Sequence, residues 1–337
     1  MVKTNMSKLD ILFEKGAEFL GARHAILGGA MTWLSDSDLV SAISNAGCFG
    51  VLAGGAMLPK DLEHEINLTS KKTDKPFGVN LITAHPQLSD LVDTVAKTNV
   101  KHLVLAGGLP SKEIIEKAKS YGLKLMCFAP ILSIGQKLLK MGADALIIEG
   151  HEAGGHVGPT ALTVLAQEIL PSLKDQIVFV AGGIATGSMM ANFLKMGAAG
   201  CQIGTLFACV KESNAHPNFK KAFFRANARD AVLSIQLDKK FPVIPVRALK
   251  NEAYQDFMSL QRQVITEFEA GRLDLKEGQL KIEHFWAGAL RRAAIQGDVE
   301  RGSIMAGQAV GLVKEELSIG EVVSNLTDEA ERYLAVQ

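Results

Sequence analysis

Eight short apolar runs recur between His24 and Thr205, and no other feature limits the possible folds so strongly. They are AILGG after His24, GVLAGG after Phe49, GVNL after Phe77, LVLAGG after His102, LMCFAP after Lys124, LIIEG after Ala145, VFVAGG after Ile177 and CQIGT after Gly200. Their spacing of about 25 residues is the period of a strand-plus-helix unit in a parallel sheet. Continuous apolar runs are what strands buried on both faces look like. The segments between them carry helical periodicity, as in Leu88–Lys97 and Ser111–Ser120, with Ser111 and Asp36 placed as N-caps. Eight such units predict a (β/α)8 TIM barrel, with an open doubly wound sheet as the other arrangement of the same pattern. No GxGxxG follows the first run, which counts against a dinucleotide-binding version of that sheet.

The alternation stops after Thr205. The expected organisation is a barrel core over residues 1–215 and an appended, mainly helical segment over 216–337 packing on the barrel mouth. Its helices are expected at Asn251–Ala270, Lys281–Gln296 and Ser318–Ala335. Two fragments in it are compositionally odd. Pro245–Asn251 reads either as an exposed basic loop or as part of a site. Gly302–Gly311 sets small residues around Gln308, as backbone lying against another surface would require.

With 47% hydrophobic and 21% charged residues, the chain has the composition of a large folded core. A net charge of zero and a pI near 7.1 argue against a nucleic-acid partner held by bulk electrostatics. Cys48, Cys127, Cys201 and Cys209 are scattered without CxxC spacing, so no metal site is expected from them. Reduced thiols fit a cytoplasmic protein. Residues Met1–Leu20 lack the apolar centre of a signal peptide, and no run is long enough to span a membrane.

The chemistry is expected at the carboxyl ends of the strands. After the sixth run stands Glu149-Gly-His151-Glu-Ala-Gly154-Gly155-His156-Val-Gly158. Gly154 and Gly155 let backbone come close to a flat ligand or a phosphate, and His156 offers an imidazole suited to proton transfer near neutral pH. The loops after the seventh and eighth runs, Ala181–Ala185 and Ile203–Leu206, hold Gly182, Gly183, Gly204 and Thr205. Barrels often hold phosphate there, with a helix start adding its positive end. Asn80, at the end of the third run, brings an amide; Gly29, Ala30 and Met31 would lie under a flat ring. The remaining histidines, His24, His64, His85, His102, His216 and His284, sit singly and read as solvated or locally hydrogen-bonded. No cluster has metal-ligand spacing.

These residues resemble a known family. Glu149–Gly158 (EGHEAGGHVG), Thr73–Leu81 (TDKPFGVNL), Ala181–Ile184 (AGGI) and Ile203–Thr205 (IGT) are similar to the FMN-dependent barrel family of nitronate monooxygenases, formerly 2-nitropropane dioxygenases. That family also includes the type II enoyl-acyl-carrier-protein reductases. The resemblance runs from about Ala25 to Val313. It implies FMN phosphate held by Gly182, Gly183, Gly204 and Thr205, and a ring approached by Gly29, Ala30, Met31 and Asn80. It implies His156 as the catalytic histidine, and Gln308 reaching the flavin from the C-terminal part. Two positions depart from the pattern. Many relatives have Gln-Gly-Gly-Met where this chain has Leu27-Gly-Gly-Ala-Met31, and His151 replaces an apolar residue of the reductases.

The expected activity is therefore an FMN-dependent oxidoreductase. The first expectation is that it oxidises alkyl nitronates with O2, because the monooxygenase branch is the broader one; the alternative is that it reduces enoyl thioesters with NAD(P)H as reductant. Arg247–Asn251, Gly288–Arg292 and the Met305–Gln308 fragment lean toward the reductases, the barrel motifs toward neither. A barrel binding a phosphate ligand without turnover is the third expectation. The partner is a small molecule in each, and the helical segment either closes over the mouth or pairs two chains as a homodimer.

Overall fold

A computed structural model describes residues 6–241 and 245–336. Its centre is a closed barrel of eight parallel strands in the order β1-β2-β3-β4-β5-β6-β8-β9. The strands are β1 (Ile26–Gly28), β2 (Phe49–Ala53), β3 (Phe77–Ile82), β4 (His102–Ala106), β5 (Lys124–Phe128), β6 (Ala145–Glu149), β8 (Ile177–Ala181) and β9 (Gly200–Ile203). All eight fall on the apolar runs. The ring closes between β1 and β9, with Ile26 opposite Cys201 and Gly28 opposite Ile203. β7 (Gly155–His156) lies outside the barrel, so the seventh and eighth barrel strands are β8 and β9.

Helices α2 (Ser37–Asn45), α3 (Pro59–Lys72), α4 (Leu88–Ala96), α5 (Lys112–Ser120), α6 (Leu132–Met141), α7 (Leu162–Ser172) and α8 (Gly187–Lys195) follow successive barrel strands. Their starts are chemically defined. Asp36 accepts from the N–H groups of Asp38 and Leu39, Ser111 from Ile114 and Thr186 from Met189. Each such cap satisfies donors that the first turn leaves open, and contributes ~1 kcal/mol.

The amino-terminal helix α1 (Lys8–Leu20) opens with a Ser7–Asp10 capping box and closes the amino end of the barrel. Gly16 lies so close to Ala199 O and Ala25 that no Cβ would fit. The Phe19 carbonyl accepts from Lys124 Nζ at 2.6 Å and meets His102 Nε2 at 2.9 Å. With α1 covering that end, the ends of the strands are the open face of the barrel.

The C-terminal part contains α9 (Pro217–Arg225), β10 (Ala231–Leu233), β11 (Val246–Leu249), α10 (Glu252–Glu269), α11 (Leu275–Ala294) and α12 (Ile319–Ala335). It is mainly helical, yet β10 and β11 pair antiparallel and β11 pairs in turn with β7. Two apolar clusters belong to it. One holds Phe219, Phe223, Leu290, Ile304 and Val310; the other stacks Phe257 on Trp286 at 4.3 Å between ring centres. α12 instead joins the barrel's own core through Ile319, Val322, Val323, Leu326, Ala330 and Leu334. It packs on α8 and α1, with Tyr333 donating to Asn192 Oδ1 at 3.0 Å and Lys8 Nζ donating to Leu334 O at 2.7 Å. Among the described residues, no helix is long and apolar enough to cross a membrane, and no group of His, Cys, Asp or Glu could hold a metal ion. All four cysteines are buried free thiols, with burial pushing Cys48 and Cys127 up to about 12.

Candidate active site

Because the eight strands are parallel, the loops after β1, β3, β6, β8 and β9 all leave the same end of the barrel. That end therefore collects every residue expected from the sequence to carry chemistry, except Gln308, which the C-terminal part brings in. A cavity of about 410 Å³ opens there, within the range of small-molecule sites. Gly182, Gly183 and Gln308 line it, with Glu152 and Asn227 as further polar walls and Leu162, Phe193 and Leu312 among the apolar ones. His156, Asn80, Gly204 and Gly29–Met31 are not among its walls.

Gly182 and Gly183 have φ of 100° and 69°, a conformation that side chains disfavour, so this turn needs its glycines. Gly204 differs: no protein atom lies within 4 Å of where a Cβ would stand. Thr205 Oγ1 accepts from Gly307 N at 3.1 Å, which joins the loop after β9 to the C-terminal part. One expectation is corrected here. The start of α8 does not offer its positive end to a ligand, because Glu329 of α12 already occupies it, accepting from Gly187 N at 3.0 Å and Ser188 N at 3.3 Å. A carboxylate at a helix start satisfies both the orphan N–H groups and the dipole.

The loop after β6 is built by local bonds and by contacts to distant residues. Ala153 N donates to Gly150 O in a tight turn, and His151 N to Thr160 O at 2.8 Å. Glu152 acts twice: its carboxylate accepts from Leu162 N at 2.9 Å, supplying the cap α7 lacks, and its carbonyl accepts from Gln308 N at 2.9 Å. Gly154 lies against the backbone of Ala306 and Gly307, and Gly307 against Glu152 O and Gly154 N. The small residues around Gln308 thus pack against the histidine loop itself. His156 stands exposed on β7, the edge strand of the small sheet, opposite Val246.

After β1, Gly29 N donates to Ile203 O at 2.8 Å, and the Ser35 hydroxyl donates to Gly29 O while accepting from Met31 N. Ala30 and Met31 are half-buried there. The turn carries Trp33 at φ 72°, a rare value for a bulky residue and a local strain held by its surroundings. Asn80 is buried and donates to Val104 O at 3.2 Å, which fixes the plane of its amide.

Four residues escaped the sequence reading. Gln202 breaks the apolar pattern of β9, and its amide reaches Gly29, where the carried-over pattern lacks its glutamine. Glu152 lay within the histidine motif but had no evident role. Glu149 ends β6, and burial pushes its carboxyl up to about 8. Arg247 is no part of an exposed loop: it is 3% exposed on β11, and burial lowers its pKa while Glu152 acts against that shift. Its Nε donates to His151 O at 3.1 Å and its Nη1 to Ala231 O at 2.6 Å.

Similarity to known proteins follows the same outline. A (3aS,4S,5R,7aS)-5-hydroxy-7a-methyl-1-oxo-octahydro-1H-indene-4-carboxyl-CoA dehydrogenase of Rhodococcus jostii is 33% identical over 221 residues, covering 66% of this chain and 62% of that protein. A probable nitronate monooxygenase of Staphylococcus saprophyticus is 26% identical, covering 94% and 97%. The structure of FabK from Thermotoga maritima superposes with a TM-score of 0.84 at 33% identity, covering 95% and 96%. The family described as nitronate monooxygenase matches residues 14–106 and 88–329, and this chain, an oxidoreductase with a TIM-barrel core, belongs to it.

Proposed function

We propose that the chain is an FMN-dependent oxidoreductase acting on an acyl thioester, with NADH or NADPH as the second substrate. The observation that carries the flavin is the cavity walled by Gly182, Gly183 and Gln308 beside the histidine loop. Three residues expected around the cofactor meet an open space there, and Gly204 leaves further room on the adjacent loop. The residues fit the group: Gly182, Gly183, Gly204 and Thr205 would hold its phosphate, and Gly29, Ala30, Met31, Asn80, Gly154, Gly155 and Gln308 its other parts. Bound there, FMN would supply the two-electron exchange, which no side chain of the site can perform.

The protein supplies placement and protons. His156, on an exposed edge strand, is open to a substrate arriving from solvent. Its imidazole N–H would donate to the thioester carbonyl oxygen or protonate the α-carbon. The glycines would let backbone approach the flavin, and Ser35 holds the turn of Gly29–Met31 in shape. The thioester is favoured by identity at like coverage: FabK is 33% identical over 95% of the chain, against 26% over 94% for the nitronate monooxygenase, while the 33% of the CoA dehydrogenase extends over 66%.

Nitronate oxidation by O2 is the second reading, supported by the match of its namesake relative over 94% of the chain. In it His156 would stabilise the nitronate anion or accept the α-proton of a nitroalkane. Anaerobic spectra separate the two. Bleaching of the flavin by NAD(P)H and recovery with crotonyl-CoA is the expected result. Bleaching by propyl nitronate without response to NAD(P)H selects the second reading, and a protein that cannot be loaded with FMN removes both. His156→Ala is expected to slow turnover by ~10²–10⁴-fold.

A further inference from the structure

The segment that presents His156 is only two residues of strand at a sheet edge, with Gly155 as its first residue and Gly154 before it, and has little of its own to hold its shape. It is fixed from outside. Val157 N donates to Pro245 O at 3.0 Å, His156 and Gly155 pair with Val246 and Arg247, and the Arg247 side chain reaches back to His151 O, 96 positions away. One planar guanidinium thus ties the start of the histidine loop to Ala231 O of β10, across the strand that sets the register of His156.

Stability is a poor explanation for this arginine. It forms no ion pair among the described residues. Glu152, the opposite charge acting on it, accepts from Leu162 N through one carboxylate oxygen and makes no ion pair with Arg247. Arg247 Nη2 and His151 Nδ1 are both buried without a partner. A buried charge with unmet bonding capacity costs free energy that an apolar side chain of similar volume would not. What an apolar side chain cannot do is hold two carbonyls of two segments in one plane, and the point charge of a lysine cannot do so either.

We propose that Arg247 is a positioning residue, which fixes the loop His151–Val157 so that the His156 imidazole stands at the reacting atoms. The proposal rests on the reading of His156 given above. Misplacing a reacting group by 1 Å can cost on the order of 10²-fold in rate, so the loss should fall on kcat.

The test uses the FMN-loaded protein with Arg247→Met and Arg247→Lys, each alone and combined with His156→Ala. Both single variants are expected to keep the wild-type flavin content and KM, and to lose ~10–100-fold in kcat. Adding either to His156→Ala should cost nothing more, because the residue acts through the histidine. In the flavin-free protein, amide exchange of the 150–160 stretch should quicken in Arg247→Met while the barrel strands keep their protection. Wild-type kcat in both single variants overturns the proposal, as does a double variant slower than His156→Ala by the full single-variant factor. If Arg247→Met fails to fold, Arg247→Lys decides by the same criteria. A slow His156→Ala with additive doubles sinks only the role of Arg247, whereas a His156→Ala of wild-type rate sinks the reading of the histidine and Arg247 with it.

Discussion

Adding one methyl group at Gly154 probes whether the histidine loop and the C-terminal part meet as described. A Cβ there would lie 2.5 Å from Gly307 N and 2.6 Å from Ala306 C, where ordinary contact begins at 3.4 Å. The obstacle is backbone on both sides, so neither can yield by a rotamer change, and the two segments must part by about 0.9 Å. Conformational strain plays no part, because the φ of Gly154 is not left-handed. Overpacking of this kind costs ~1–3 kcal/mol. The separation also stretches the bonds from Gln308 N to Glu152 O and from Gly307 N to Thr205 Oγ1, each contributing ~0.5–1.5 kcal/mol. Gly154→Ala should therefore lose about 2–5 kcal/mol and lower Tm by several degrees. Gly158→Ala, in the same loop with nothing within 4 Å of its Cβ, should stay within ~0.5 kcal/mol of wild type. Thermal and urea unfolding of the three proteins decide the matter. Equal stability of Gly154→Ala and Gly158→Ala would refute the packing of residues 305–308 on the loop.

Gly204→Ala meets no protein atom, so it should fold with wild-type Tm yet bind FMN at least tenfold more weakly; an unchanged Kd by flavin fluorescence would remove Gly204 from the phosphate site. Glu149 is raised by burial from 4.5 to about 8, so the folded chain keeps a proton that the unfolded chain releases. Its contribution is full below pH 4.5 and is lost as pH rises toward 8, by ~4–5 kcal/mol at most. Glu149→Gln should therefore gain stability relative to wild type between pH 5 and 8, and a difference in Tm that is flat with pH would contradict this. His102 is lowered to about 4, chiefly by burial, with the Phe19 carbonyl opposing. Its neutral form supports folding above pH 6.5, and ~3 kcal/mol is lost as pH falls through 4. His102→Gln should flatten the acid limb of the stability curve, and an unchanged limb counts against a neutral buried imidazole.

The barrel was legible because its strands are largely buried on both faces and so write themselves as nearly continuous apolar runs. The small sheet was not. β7 has two residues, β10 three and β11 four, too few for any period to show. The start of α11 at Leu275, six positions before the expected Lys281, was hidden by Gly278, which weakens a helix by ~1 kcal/mol. In the fold that glycine is explained by Phe241, whose ring would collide with a Cβ. The loops after β6, β8 and β9 announced themselves through glycines and His156. Their partners did not, because Glu329, Gly307 and Arg247 lie 142, 102 and 96 positions from the groups they bond. The small residues from Gly302 to Gly311 did signal a close approach, though not what was approached.

The tail is anchored at both ends, and this decides how the site can assemble. Phe207 belongs to the barrel core, and α12 returns to that core through Ile319 to Leu334. The residues between them, including β11 and the Gln308 segment, form a loop whose ends are fixed by the barrel itself. Docking such a loop on the mouth is intramolecular, and the closure entropy has been met once α12 is seated on α8. The long-range contacts of the histidine loop with Pro245, Arg247, Gly307 and Gln308 all come from that tethered stretch. The order of the loop is therefore expected to depend on the docking of the tail, and the docking on α12. Loosening α12 at Gly187, where a Cβ would strike Leu326 O and Ala330 N, should disorder the mouth before it disturbs the barrel strands. Amide exchange in Gly187→Ala reads that order directly, and simultaneous loss of protection in the mouth and in β1–β6 would show that tail and barrel open as one unit.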